Sequence, residues 1–326
     1  MRRLLVPLAL ICALAAGCGE KEESLEPGAP EPLELMLDFF PNADHAPIYA
    51  AQAGGHFKDV GLDVEIRQPP DPAAPLKQVV AGRVDLAISY EPEVLRARDD
   101  GLAAEAVGAL VQAPLTSIIS LPQAGIRTPE DLDGKVVGTA GIDYQSAYLD
   151  AITRRARADA EERNVGFNLT GALLAKKVDA TLGAFWNYEG TDLRLRKRNP
   201  QIIRLEQAGV PTYDELVFVA NADQEDDRIK RFMAALERGA DDLRKDPDTG
   251  LKALLEANPD LDPELQRAVV DVTLPLFQPP RGKPYGWQDP KEWDEFARWM
   301  GDNELLENLI DAEGAFTNEY LPGEGP

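Results

Sequence analysis

The sequence has little cysteine, little histidine and a shortage of positive charge, and each scarcity rules something out. Its two cysteines, Cys12 and Cys18, both lie near the N-terminus, so no disulfide framework or Cys-rich metal cluster can form further along. Its two histidines, His45 and His56, stand in unrelated contexts and give no two-His zinc motif, so no metal site is expected. Thirty-four Lys and Arg against 57 Asp and Glu leave a formal charge of −23, which repels phosphate backbones and sets nucleic acid aside as a partner. Beyond the N-terminal segment there is no Gly-x-Ser-x-Gly, P-loop or Gly-x-Gly-x-x-Gly, so the usual nucleophile-elbow and nucleotide signatures are missing. No apolar run reaches the roughly 18 residues of a membrane span. What remains is an ordinary globular mixture, 44% hydrophobic and 28% charged over 326 residues, enough for about two domains.

The N-terminus reads as an address. Met1-Arg2-Arg3 is a short basic start and Leu4 to Ala16 an almost unbroken apolar run, too short to span a bilayer but suited to an export signal. It ends Leu14-Ala15-Ala16-Gly17-Cys18, small residues directly before a cysteine, like a bacterial lipobox. Residues 1–17 are expected to be removed and Cys18 to carry lipid such as palmitate, which takes the charge to −25 by loss of Arg2 and Arg3. That places the protein outside the cell on the outer face of the cytoplasmic membrane, held by lipid. Residues 18–34, rich in Glu, Pro and Gly, read as a flexible stalk.

The body alternates strand and helix patterns. Strand-like runs at Leu33–Leu37, Gly61–Ile66 and Val84–Ile88 are separated by helical stretches at Pro47–Ala53 and Pro75–Ala81, which implies βαβ units and a mainly parallel sheet. A second unit opens at Thr128-Pro129-Glu130-Asp131, an N-cap with Pro in the first turn. It continues through a strand at Gly134–Gly138 and a helix from Gln145 to Arg157. After a strand at Val217–Asn221 the chain is mostly helical: Asp226–Lys245, Gly250–Ala257, Asp262–Asp271 and Pro290–Asn303.

One internal echo stands out. Ala81-Gly82-Arg83-Val84-Asp85-Leu86-Ala87 leads to Ser89-Tyr90-Glu91, and Ala175-Lys176-Lys177-Val178-Asp179-Ala180-Thr181 leads to Trp186-Asn187-Tyr188-Glu189. Two similar α/β units would then present matching aromatic and acidic tips at strand carboxyl ends, where open α/β sheets bind ligands. The candidate ligand-binding residues at these ends are Asp38, Phe39, Asn42, His45, Tyr90, Trp186, Asn187, Tyr188 and Glu189. Rings for stacking beside a few polar groups suit a flat heterocycle. A carboxylate such as Glu189 pairs with an aminopyrimidine through two parallel hydrogen bonds, one to the exocyclic amine and one to a ring nitrogen. The loop Thr139 to Tyr144, with Gly141 at its centre, can aim backbone N–H groups at an anion or carbonyl. Glu91 and Glu93 read as a solvated helix start. His45 reads as a ligand contact or a loop brace. No catalytic residue and no cofactor is expected.

Five segments carry a family resemblance: LDFFPNADHAPIYAAQAGGHFKDVGLDVEI, DPAAPLKQVVAGRVDLAISYEPEV, GIRTPEDLDGKVVG, AFWNYEG and AFTNEYLP. The chain resembles the solute-binding lipoproteins of bacterial ABC importers, specifically the ThiY-like proteins that bind thiamine pyrimidine precursors. That resemblance implies a type II periplasmic-binding-protein fold, two α/β lobes around a ligand cleft with two crossovers. Lobe 1 would take residues 35–115 and 213–326, the second part helical, and lobe 2 residues 116–212. It also implies N-formyl-4-amino-5-aminomethyl-2-methylpyrimidine or the hydroxymethyl analogue as ligand, with an ABC permease and its ATPase as partners. Phe39, in place of a frequent Trp, would stack on the ring, and Asn42, Tyr188 and Glu189 would hold its nitrogens. A sister branch holds the fungal hydroxymethylpyrimidine phosphate synthases, with an active-site histidine where His45 lies. Their cysteine cluster is missing here, so the resemblance favours a binder over an enzyme. A sulfonate, taurine or nitrate binder is the other alternative, but it would want Arg, Lys or several N–H donors in the cleft.

Overall fold

A computed structural model describes residues 29–308 and 312–323; the export segment 1–17 and Cys18 lie outside the described residues. The first strand, β1 (Glu31–Met36), begins inside the stretch read as stalk (18–34). Its Glu and Pro content hides it, because only the second half is covered: Leu33 and Leu35 are fully buried while Glu31 and Pro32 are exposed. From there α1 (Ala46–Ala53) and the single turn α2 (His56–Asp59) lead to β2 (Leu62–Arg67). Next, α3 (Pro75–Val80) leads to β3 (Leu86–Ser89), and α4 (Glu91–Asp99) to β4 (Ala104–Val111). Residues 112–115 cross to a second unit. It runs β5 (Thr116–Ser120), β6 (Val136–Thr139), α5 (Asp143–Ala156), β7 (Glu161–Asn164), α6 (Leu169–Leu174), β8 (Ala180–Phe185), α7 (Glu189–Leu195) and β9 (Gln201–Arg204). Residues 205–215 return to β10 (Leu216–Asn221), followed by α8 (Asp227–Lys245), α9 (Pro247–Ala257), α10 (Pro263–Thr273) and α11 (Pro290–Asp302).

Two five-stranded sheets result, β2-β1-β3-β10-β4 and β7-β6-β8-β5-β9. In each, three strands are parallel and the fourth position is filled by an antiparallel strand arriving from a crossover, β10 in one and β5 in the other. The sequence echo maps onto this symmetry, since β3 and β8 hold the same place. Its Val-Asp turn is a staple. Asp85 N–H donates to Glu34 O and its Oδ2 accepts Glu34 N–H at 2.7 Å; Asp179 N–H donates to Val136 O and its Oδ2 accepts Val136 N–H at 2.9 Å. Each aspartate thus closes a ring with the neighbouring parallel strand where the ladder begins.

Helices cover the sheets through apolar faces. In α8, Asp226 caps the N-terminus by accepting from Arg228 N–H, and Ile229, Phe232, Met233, Leu236, Ala240 and Leu243 repeat at helical spacing on one buried face. Burying each of the larger ones is worth about 1.5–3 kcal/mol. Gly239 lets α8 approach α1: a Cβ there would stand 2.5 Å from Ala51 N. At the crossovers, Glu215 ties both together, accepting from Leu115 N–H (2.7 Å), Thr116 N–H (2.8 Å), Thr116 Oγ1–H (2.9 Å) and Tyr213 O–H (3.0 Å). Helix α11 braces the same region, with Phe296 stacked on Tyr213 at 4.7 Å and Trp299 edge-on to Tyr148 of α5 at 5.5 Å. No helix among the described residues is long and apolar enough to cross a membrane.

Candidate ligand-binding site

A cavity of about 840 Å³ opens between the two sheets, at the carboxyl ends of their parallel strands. Its lobe 1 wall starts where β1 ends. Asp38 is buried there and accepts from His45 Nε2 at 2.8 Å and Tyr90 O–H at 2.7 Å. Burial opposes its ionisation, but these bonds outweigh burial and hold its carboxyl below the usual value. His45 is fully buried. Its Nδ1 accepts the Asn42 N–H at 3.2 Å, which leaves Nε2 as the protonated nitrogen facing Asp38. Asn42 caps the following turn: Oδ1 accepts Asp44 N–H at 2.9 Å and Nδ2 donates to Phe40 O at 3.0 Å. Behind them Asp44 is pushed up to about 6 by burial.

The lobe 2 wall comes from β8, α7 and the β6–α5 loop. Glu189, in the first turn of α7, lines the cavity and its Oε2 accepts Phe185 N–H at 2.7 Å. Burial raises it to about 7 against two backbone hydrogen bonds. Tyr188 O–H accepts from Gln266 Nε2 of α10 at 2.8 Å. Gly141 has φ of +80°, and a Cβ at that position would run into the Asn164 amide. Phe167, 55% exposed, projects from the β7–α6 loop to meet Phe39 across the cavity at 5.8 Å between ring centroids.

Of the residues named from the sequence as ligand contacts, eight stand in this lining and two do not. Asp38, Phe39, Asn42, His45, Tyr90, Gly141, Tyr188 and Glu189 all line the cavity. Two corrections concern the AFWNYEG segment. Trp186 is turned away from the cavity: its Nε1 donates to Pro114 O at 3.0 Å and the Arg204 guanidinium lies 4.0 Å over its ring. Side chains alternate along β8, so with Phe185 on the cavity side the next residue points against the crossover. Asn187 is fully buried outside the lining, donating from Nδ2 to Asp44 Oδ1 (2.6 Å) and Thr273 Oγ1 (2.8 Å), and so braces lobe 2 on lobe 1. Asn42 lines the cavity with both ends of its amide already engaged.

Glu91 and Glu93 are also not a solvated helix start. Glu91 is fully buried and accepts Asp214 N–H at 2.6 Å, beside the return crossover; burial and the nearby Asp214 carboxyl push it well up. Glu93 lines the cavity, accepts from Ser89 Oγ–H at 2.7 Å and is raised by burial to about 7. Sequence reasoning missed Glu93, Phe167, Phe185 and Asp44 as cavity residues. The two-residue offset from Glu91 to Glu93 on a helix was the available signal for one of them, since it moves a side chain by about 200° around the axis. Among the described residues no group of three or more His, Cys, Asp and Glu is arranged to hold a metal.

Chemically, the lining offers Asp38, Asp44, Glu93 and Glu189 among phenyl and phenol rings, with Lys77 and Arg96 near enough to Glu93 to counter part of its rise. That is an acceptor-rich, ring-lined cavity, suited to a flat donor-rich ligand and unfavourable to an anion.

Residues 42–250 match the family described as NMT1/THI5 like. Over 324 residues the chain is 32% identical to the formylaminopyrimidine-binding protein of Halalkalibacterium halodurans, covering 96% of this chain and 98% of that one. It is 25% identical to the 4-amino-5-hydroxymethyl-2-methylpyrimidine phosphate synthase of Legionella pneumophila, covering 88% and 92%. Among solved structures, the alkanesulfonate-binding protein SsuA from Xanthomonas axonopodis pv. citri bound to MOPS superposes with a TM-score of 0.66 at 18% identity, covering 89% of this chain and 99% of that one. At that identity the likeness speaks for the fold, the two-lobed periplasmic-binding-protein architecture expected from the sequence.

Proposed function

The chain belongs to the NMT1/THI5 like family, and from that premise we propose that it binds a small aminopyrimidine and carries no catalysis of its own. The ligand is N-formyl-4-amino-5-aminomethyl-2-methylpyrimidine or its hydroxymethyl analogue, captured outside the cell and handed to an ABC permease and its ATPase. The name of the Halalkalibacterium halodurans relative supports the ligand class. The observation that carries the reading is Glu189, a carboxyl facing the cavity between Phe185 and Tyr188, with Phe39 reaching in from the other lobe. An aminopyrimidine edge gives Glu189 two parallel hydrogen bonds in either protonation state. As a carboxylate it accepts from the exocyclic amine and from a protonated ring nitrogen; as an acid it accepts from the amine and donates to the bare ring nitrogen. A group raised to about 7 meets both cases near neutral pH.

Because Phe39 and Tyr90 come from lobe 1 and Tyr188 and Glu189 from lobe 2, a ligand touching both favours the closed form, the species that would dock on the permease. Cys18 and the apolar run Leu4–Ala16 support export and lipid anchoring. Against turnover, both His45 nitrogens are engaged, by Asn42 and Asp38, so the ring has no nitrogen to offer a substrate without breaking the wall. Against a sulfonate, the carboxyls that line the cavity, Asp38, Asp44, Glu93 and Glu189 among them, outnumber its two cations, Lys77 and Arg96. Isothermal titration with the formylaminopyrimidine, the hydroxymethyl analogue and taurine tests this: the pyrimidines are expected to give heat and taurine none. Heat from taurine alone, or turnover of the pyrimidine, would retire the proposal.

A further inference from the structure

The cavity is rich in acceptors, and the start of α5 brings it donors. Ala140, Gly141, Ile142, Tyr144 and Gln145 of the β6–α5 segment all line it. Ala140 N–H is taken by Gln145 Oε1 at 2.9 Å, and Gln145 N–H by Ile142 O at 2.9 Å. Between them, the N–H groups of Gly141, Ile142, Asp143 and Tyr144 have no acceptor among the described residues, and no side chain caps the helix. With 14 residues behind it, this end carries the positive pole of the helix dipole.

A second donor belongs to the same turn. Tyr144 is only 4% exposed, its ring packs on Tyr148 at 5.4 Å, and it lines the cavity. Among the described residues no group hydrogen-bonds its hydroxyl, whereas Tyr90 O–H is spent on Asp38. Burial, and then the Glu93, Glu215 and Asp38 carboxyls, hold its proton well above the usual phenol value, so it remains a donor at neutral pH. These donors stand next to Glu189. β6 and β8 are neighbours in the sheet; Gln145 of α5 packs so close to Gly183 of β8 that a Cβ there would meet its Nε2 at 2.5 Å; and Glu189 accepts Phe185 N–H at the end of β8. Adjacent strand ends lie about 4.8 Å apart. That matches the reach from a pyrimidine's 4-amine, gripped by Glu189, to the end of a substituted methylene arm on the next ring atom. A formamide there ends in a carbonyl oxygen, which carboxyls repel and N–H or O–H donors satisfy. A hydroxymethyl group can donate to a carboxyl instead.

We infer that the Tyr144 hydroxyl and the open N–H groups at the start of α5 form the subsite for the carbonyl oxygen of a formamide arm, so that the formyl compound is preferred over the hydroxymethyl one. This rests on the aminopyrimidine reading of the same cavity and chooses between its two ligands. The test is titration calorimetry of the full chain with the formyl compound, the hydroxymethyl compound and the phosphate ester of the latter, repeated on Tyr144→Phe. Infrared difference spectra of the formyl compound, isotope-labelled at its carbonyl, accompany it. The formyl compound is expected to bind about tenfold tighter than the hydroxymethyl one, and Tyr144→Phe to remove about threefold of that preference, the worth of one hydrogen bond. The labelled carbonyl band should move to lower frequency on binding, as donors weaken the C=O bond, and part of the way back in Tyr144→Phe. The band in the unsubstituted chain needs no variant, and thermal unfolding checks that Tyr144→Phe is folded. Equal binding of the two compounds, an unshifted band, or a preference that Tyr144→Phe leaves intact overturns the subsite and leaves the pyrimidine reading standing. A phosphate ester that binds tighter than the formyl compound also overturns it, by making the helix end an anion site. No heat from any of the three retires the pyrimidine reading and this inference with it.

Discussion

In the β3–α4 unit the strand runs out through Ser89 and Tyr90, and the carboxyl that opens the helix, Glu91, turns into the protein to meet Asp214. In the β8–α7 unit the corresponding carboxyl, Glu189, lines the cavity. The two units share their Val-Asp staple and their place in the sheet, so the backbone frame is common and the tips have diverged. They differ in charge as well. The lobe 1 tip works through Asp38, kept ionised by His45 and Tyr90, whereas Glu189 in lobe 2 holds its proton up to about 7. Asp38 is a fixed acceptor, whereas Glu189 can give or take a proton, as Glu93 can on the lobe 1 side. A repeated fold element therefore fixes where functional groups stand, while side-chain direction decides what they do.

Exchanging the two glutamates should produce the largest effects and would break the comparison if both behaved alike. Glu189→Ala removes a charged hydrogen-bond partner from the ligand, with an expected loss of about 3 kcal/mol, roughly a hundredfold in affinity. Glu91→Ala leaves the Asp214 N–H buried without its acceptor; it is expected to cost about 2 kcal/mol of stability and to leave affinity within twofold. Calorimetry and urea unfolding on both variants read the two effects separately. A drop in affinity for Glu91→Ala would mean that both tips serve the ligand.

The contrast in proton holding gives the next effect. Glu189 and Glu93 at about 7 and Asp44 at about 6 all have folded values above their ordinary ones, because burial disfavours the charge. In the window between the unfolded and folded values the native state binds more protons, so the stability these groups contribute is complete at low pH and is lost as pH rises through 6 to 7. Asp38, depressed, has the opposite sign and acts only at the acid end. Urea unfolding should show stability falling by several kcal/mol from pH 5 to pH 8, with a shallower slope in Glu189→Gln. A rising stability across that range would contradict the burial of these carboxyls.

The staples sharpen the shared half of the comparison. Asp179→Ala removes the side-chain acceptor of the Val136 N–H and is expected to cost about 1 kcal/mol. Asp85→Ala removes the same bond and also the ion pair from Asp85 Oδ1 to Arg228 at 2.7 Å, so it should cost about 0.5 kcal/mol more. Thermal unfolding of the two variants checks both the equality and the excess.

How much of this was legible follows from which forces leave a trace in sequence. Helices with a cap and an apolar face were readable nearly to the residue, as with Asp226 before α8 and Asp289 with Pro290 opening α11. Strands buried on both faces were readable as apolar runs, as at Leu216–Asn221. β7, Glu161–Asn164, was not: it is an exposed edge strand of four polar residues, held by backbone bonds to β6 that leave no pattern in side chains. At the site, the residues that line the cavity from strand ends were legible because strands of this topology deliver them there. The direction of each side chain was not, since it depends on which face the last strand residue takes and on partners distant in sequence, such as Gln266 for Tyr188 and Thr273 for Asn187.

Trp186 gives the smallest effect and the clearest separation of position from role. It stands two residues before Tyr188 in the segment most suggestive of a stacked heterocycle, yet its indole is held by Pro114 O and covered by Arg204. Trp186→Phe keeps a ring for packing and deletes the N–H, so the first crossover loses one hydrogen bond and part of a cation–π contact, about 1 kcal/mol in all. Ligand affinity should stay within twofold, because the indole is not among the rings that line the cavity, which include Phe39, Phe185 and Tyr188. Phe39→Ala in the same titration supplies the contrast, with an expected loss of about 1 kcal/mol from the missing stack. If Trp186→Phe weakened binding more than Phe39→Ala, the indole would have to swing from the crossover into the cavity when ligand arrives, and the lobe 2 wall described above would be the wrong one.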